Sequence, residues 1–161
     1  KGDTQWQLQR FRSHVQVANE VGKPVIIHTR DAGDDTLMVL REENAEKCGG
    51  VIHCFTETQK FAERAMELGF MISISGIVTF RNADSLRAIA KTIPDDRLLI
   101  ETDSPYLAPV PYRGKQNQPA YVNKVAETLA EIRATDIEHI AEITRENYYR
   151  LFGHAEAAMT C

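Results

Sequence analysis

The chain has 161 residues, 43% apolar and 26% charged, which is ordinary usage for one folded domain and too apolar for a disordered one. A net charge of −4 argues against a general nucleic-acid coat, though not against an enzyme that meets phosphate through metal ions and a few local cations. No apolar run approaches the roughly 18 residues that span a bilayer, so no membrane partner is expected.

The polar start, Lys1 to Gln9, has no signal-peptide character and no initiator Met, so the chain is expected to begin within a longer protein. Thr4 to Val21 reads as an amphipathic helix, with Trp6, Phe11, Val15, Ala18 and Val21 near one face and Gly22 and Pro24 ending it. Four short β-rich runs follow: Pro24 to Ile27, Gly50 to Ile52, Phe70 to Ile74 and Leu98 to Ile100. Helical spacing fills the gaps. Asp34 to Asn44 carries Leu37, Val39 and Leu40; Thr58 to Leu68 carries Phe61, Ala62, Ala65, Met66 and Leu68; Ala83 to Thr92 carries Leu86, Ile89 and Ala90. Strands alternating with helices predict a parallel sheet. Residues 103–119, with Pro105, Pro109, Pro111, Gly114 and Pro119, predict a long functional loop. Helices are expected again at about 119–133 and 136–152, burying Leu129, Ile132, Ile137, Ile140, Ile143, Tyr148 and Leu151. Residues 154–161 read as a frayed tail, and no linker or repeat suggests a second domain within 1–161.

Three predicted strands finish on a metal-ligand side chain: His28, His53 and, after Glu101 and Thr102, Asp103. Parallel strands present their carboxyl ends at one rim, where active sites form. Two imidazoles and a carboxylate suit a divalent ion such as Zn²⁺ with positions left for water. A lone His at a strand end is more often a structural residue; three such residues at equivalent ends favour a shared site. Arg30 is expected on the side of His28, facing a substrate anion or pairing with Asp31, Asp34 or Asp35. Glu101 is expected on the side of Asp103, orienting a ligating His or pairing with an arginine. Arg113-Gly114-Lys115 reads as a phosphate-holding loop or a solvated one. Ser73 and Ser75 are weaker candidates, and His14, His139 and His154 read as surface residues. Cys48, Cys54 and Cys161, an odd number without metal-finger spacing, read as reduced thiols of a cytoplasmic protein.

Several of these segments resemble the TatD family of metal-dependent deoxyribonucleases. They are Pro24-Val25-Ile26-Ile27-His28-Thr29-Arg30-Asp31-Ala32-Gly33-Asp34, His53-Cys54-Phe55, Gly76-Ile77-Val78-Thr79-Phe80, Leu98-Leu99-Ile100-Glu101-Thr102-Asp103-Ser104-Pro105-Tyr106-Leu107, Arg113-Gly114-Lys115-Gln116-Asn117-Gln118-Pro119 and Asn147-Tyr148-Tyr149-Arg150-Leu151-Phe152-Gly153. The resemblance implies an α/β fold, a TIM-like β/α barrel present here as a partial barrel. It implies two divalent ions per intact site (Zn, Mn, Ni or Mg), with His28 and His53 on one and Asp103, also the catalytic proton acceptor, on the other. It implies DNA as substrate and adds weight to Arg30, Arg113 and Lys115 as phosphate contacts. The family's opening His-x-His pair and bridging Glu are not found, so truncated barrel edges that invite pairing or aggregation are expected. Two other readings stay open: an amidohydrolase-like enzyme on a non-nucleic-acid substrate, and a catalytically incomplete binding module.

Overall fold

A computed structural model describes residues 5–153. The order is α1 (Gln5–Val21), β1 (Val25–Ile27), α2 (Gly33–Glu42), β2 (Gly50–Ile52), α3 (Gln59–Glu67), β3 (Met71–Ile74), α4 (Asp84–Thr92), β4 (Leu98–Ile100), α5 (Val122–Arg133) and α6 (Ile137–Phe152), joined by short 3₁₀ turns. The four strands pair in parallel in chain order, β1-β2-β3-β4. In register, Ile26 lies beside Val51, Ile52 beside Ile72, and Ile72 beside Leu98.

Local chemistry explains the boundaries. The Thr58 side chain accepts the Phe61 amide at 3.2 Å to start α3, and Asp136 accepts the His139 amide at 2.7 Å to start α6. Gly22, at φ +61°, ends α1 where a side chain would be strained. At Gly50 an added Cβ would sit 2.3 Å from the Val25 carbonyl oxygen, so only glycine lets β1 and β2 close there.

Strand alternation sorts the sheet into two faces. Ile27, Ile52, Ile72, Ile74 and Leu98 join the main core with Leu37, Leu40, Phe61, Ala65, Leu86, Ile89, Val125, Leu129 and Ile140 from the helices. Each fully buried aliphatic side chain there contributes about 1.5–3 kcal/mol. On the other face, Val51, Met71 and Leu99 form a small separate cluster, and Leu151 of α6 packs against it. Two polar side chains fasten the last helices, α6 to the start of β4 and α5 to the end of α4. Asn147 donates to the Asp95 and Leu98 carbonyls, each at 2.7 Å, and Arg133 donates to the carbonyls of Ala90 (2.9 Å) and Ile93 (2.7 Å).

Three expected core residues are not buried. Trp6 and Val21 on α1 and Tyr148 on α6 are exposed. At about 100° per residue Trp6 falls far round α1 from Val15 and Ala18, which are the positions that dock. His14 is exposed as expected, His139 is half-buried beside Asp95, and His154 lies outside the described residues, as does the predicted 154–161 tail. No helix among the described residues is long and apolar enough to cross a membrane.

Candidate active site at the carboxyl rim of the sheet

The candidate side chains continue the row of the small apolar cluster. Moving up by twos, Val51 leads to His53, Met71 to Ser73 and Leu99 to Glu101, while Ile26 leads to His28. The ladder extends past the strands to hold that row. The His53 amide donates to the Ile27 carbonyl (2.8 Å), Phe55 to Ser73 (3.0 Å) and Glu101 to Ile74 (3.0 Å).

At the rim the side chains form a chain of contacts. The buried Ser73 hydroxyl donates to Glu101 Oε2 at 2.5 Å. Glu101 Oε1 lies 2.8 Å from His53 Nδ1, and His53 Nε2 lies 3.4 Å from Asp103 Oδ1. The His28 and His53 rings are 5.8 Å apart, centre to centre. Oε1 is buried and has no donor aimed at it, although His53 Nδ1 is within hydrogen-bonding distance. At this separation a small ring rotation lets the Nδ1–H donate to this carboxylate oxygen. That leaves the Nε2 lone pair facing the rim, the arrangement a metal-ligating histidine needs.

Tight turns bring these groups in. Asp31, Cys54 and Asp103, each just beyond a strand, have left-handed φ of 53°, 47° and 59°. Such non-glycine residues are uncommon and cluster at functional sites. Asp103 was expected to continue the extended backbone of Glu101. It does not; its carboxylate reaches His53 from a left-handed turn that Asp tolerates better than most residues. The Cys54 thiol is buried and shares a 3.2 Å hydrogen bond with Ser75. Burial pushes its pKa up, the Ser75 bond opposes that, Glu101 and Asp103 raise it further, and Arg30 lowers it.

Of the expected site residues, His53, Glu101 and Asp103 are in direct contact and the His28 ring lies beside that of His53; His28 and Arg30, both exposed, follow the end of β1. Among the described residues, no group of three or more His, Cys, Asp or Glu side chains is close enough to hold a metal ion. The three expected ligands therefore share a rim without forming a closed cluster. The donor types, imidazole and carboxylate, nonetheless suit a divalent cation. Arg113 is engaged: its guanidinium stacks on Phe80, beyond β3, at 3.7 Å and donates to the Ala108 carbonyl of its own loop at 3.2 Å. Lys115 is exposed.

The 103–119 loop is tied down. The buried Asn117 amide donates to the Thr102 carbonyl (2.7 Å) and the Tyr106 carbonyl (2.6 Å), and its backbone N–H donates to Pro105 (3.1 Å). A Cβ on Gly76 would sit 2.3 Å from the Leu107 carbonyl oxygen, so glycine is required where the loop crosses β3's end. Sequence reasoning missed this role of Asn117 and ranked Ser73 low. Ser73's signal was its place two residues beyond Met71, which becomes meaningful only once the register is known.

The sequence matches the family described as TatD related DNase over residues 1–153. The metal-dependent hydrolase YcfH of Escherichia coli K12 is 56% identical over 152 residues, covering 94% of this chain and 57% of that protein. The 3'-5' ssDNA/RNA exonuclease TatD of a Rahnella species is 36% identical over 151 residues, with 91% and 57% covered. The crystal structure of YJJV, a TatD homolog from Escherichia coli K12, superposes with a TM-score of 0.85 at 30% identity, over 96% of this chain and 60% of that one. The chain thus spans less than two thirds of these relatives' length. The α/β arrangement of parallel strands and outer helices is a partial TIM-like barrel. By sequence, motif order and fold, the chain belongs to the TatD related DNase family.

Proposed function

We propose that this chain carries the carboxyl-terminal part of the active site of a metal-dependent phosphodiesterase that cleaves DNA in the cytoplasm. The observation carrying this reading is the contact chain Ser73–Glu101–His53–Asp103 at the strand rim. The family match supports a hydrolase, and the name of the Rahnella relative supports a nucleic-acid substrate.

His28, His53 and Asp103 would hold divalent metal, with other ligands completing the spheres. When bound, such ions act as Lewis acids and lower the pKa of water toward neutrality. Glu101, anchored by Ser73, keeps the proton of His53 on Nδ1 and so keeps Nε2 available as a donor. Asp103 accepts the proton of the attacking water as its oxygen bonds to phosphorus and the bridging ester oxygen departs. Arg30, at the same rim, offsets charge on the non-bridging phosphate oxygens, with Lys115 and Arg113 on the neighbouring loop.

The test is an assay of the protein as its gene encodes it, with Mn²⁺, Zn²⁺, Ni²⁺ or Mg²⁺, on single-stranded DNA beside an amide, a lactone and a phosphotriester. Metal-dependent release of nucleotides is expected. Turnover of the amide or lactone with intact DNA would replace this reading with the amidohydrolase-like one.

A further inference from the structure

Resting on the nuclease reading, we propose that Tyr106 is the stacking platform for an unpaired base of the substrate. Surface tyrosines are common; the placement of this one is not. Its side chain is 71% exposed, whereas Ala108, two residues on, is buried. Its amide donates to the Asp103 carbonyl at 2.9 Å, closing a turn in which the two Cα atoms lie within about 7 Å of each other. Its carbonyl accepts from the buried Asn117 amide at 2.6 Å. Tyr106 is thus a ring held open to solvent on a backbone pinned on both sides, one turn from the proposed proton acceptor.

The same loop supplies the other component of a single-strand site. Lys115 is exposed, and the Asn117–Pro105 hydrogen bond folds its limb back beside Tyr106, while Arg113 of the same limb rests on Phe80. A cationic track beside an open aromatic face binds single strands with little sequence preference, because every base has a π-face. A paired base inside a duplex has both faces covered and cannot use the ring. Tyr112 and Tyr121 are not equivalent platforms, since they stack on each other with ring centres 3.9 Å apart.

The experiment uses the encoded protein with Mn²⁺, a short oligothymidylate, and a set of the same strands with one abasic site moved through each position. Tyr106→Ala should raise KM about tenfold to a hundredfold with little change in kcat, while Tyr106→Phe keeps the wild-type KM. On the strand whose abasic site falls at the stacked position, wild type and Tyr106→Ala should have the same KM. Thermal melts should coincide for all three proteins, because the side chain is exposed. Normal cleavage with an unchanged KM in Tyr106→Ala would overturn the inference alone, as would a loss that persists on every abasic strand. Failure of the wild type to cleave any DNA would overturn the nuclease reading, and this inference with it.

Discussion

The two faces of the four-stranded sheet are built from the same kind of residue and do opposite work. On the helix-covered face, Ile27, Ile52, Ile72, Ile74 and Leu98 are buried in one large core. On the other, Val51, Met71 and Leu99 form a small apolar floor beneath Leu151, and the next residues upward are His53, Ser73 and Glu101. Ile26 belongs to that second face and is 67% exposed, beside a groove of about 400 Å³ that Phe11, His14 and His28 also line. One face holds the fold together; the other carries polar groups to a rim and gains little from burial along β1. Stability and chemistry should therefore separate by strand parity.

Four substitutions test that separation. Asp103→Asn, on the functional side, should lower DNA turnover of the encoded protein by roughly a thousandfold, the cost of removing a group that meets developing charge. Its melting curve should stay within about 0.5 kcal/mol of wild type, and retained turnover would remove Asp103 from the chemistry. Ile72→Ala, on the helix-covered face, should cost about 2–5 kcal/mol and lower Tm by roughly 5–20 °C, through lost contacts and a residual cavity. Denaturant unfolding measures it, and a loss below 1 kcal/mol, on the order of a surface substitution, would contradict the burial. Glu101→Gln keeps an acceptor for Ser73 but loses the charge beside His53 Nδ1. Metal affinity should fall about tenfold to a hundredfold by calorimetric titration. Ile26→Ala, on the same face as His28, should change the stability of this 161-residue chain by no more than about 0.5 kcal/mol. A large loss there would mean that something covers β1.

The strands and most helices were legible in the sequence because each strand is a short, mostly apolar run and each helix keeps an apolar stripe. His28, His53 and Asp103 stood out because each lies at or just past the end of such a run. Ser73 did not stand out: all four residues of β3 are buried, so that strand carries no alternation to mark which side faces the rim. The left-handed turn at Asp103 was also hidden, since Asp is allowed there without being required. Asn117 and Asn147 were missed for another reason. Their amides reach carbonyls 15 and 49 residues away, and bonds over such spans leave no periodic trace along the chain. Trp6 and Val21 show the reverse error, where apolar identity was read as burial although helix geometry turns Trp6 outward and Val21 is the last residue of α1.

The anchoring of the 103–119 loop has a use for engineering. Its fixed points are the seat of Leu107 over Gly76 and the hydrogen bonds from Asn117, whereas Gly114 has open space around the position of a Cβ. A new recognition segment could be grafted between Arg113 and Lys115 and vary in length while the frame beside Asp103 stays put. Grafts that cross Leu107 or Asn117 would shift that frame along with the insert.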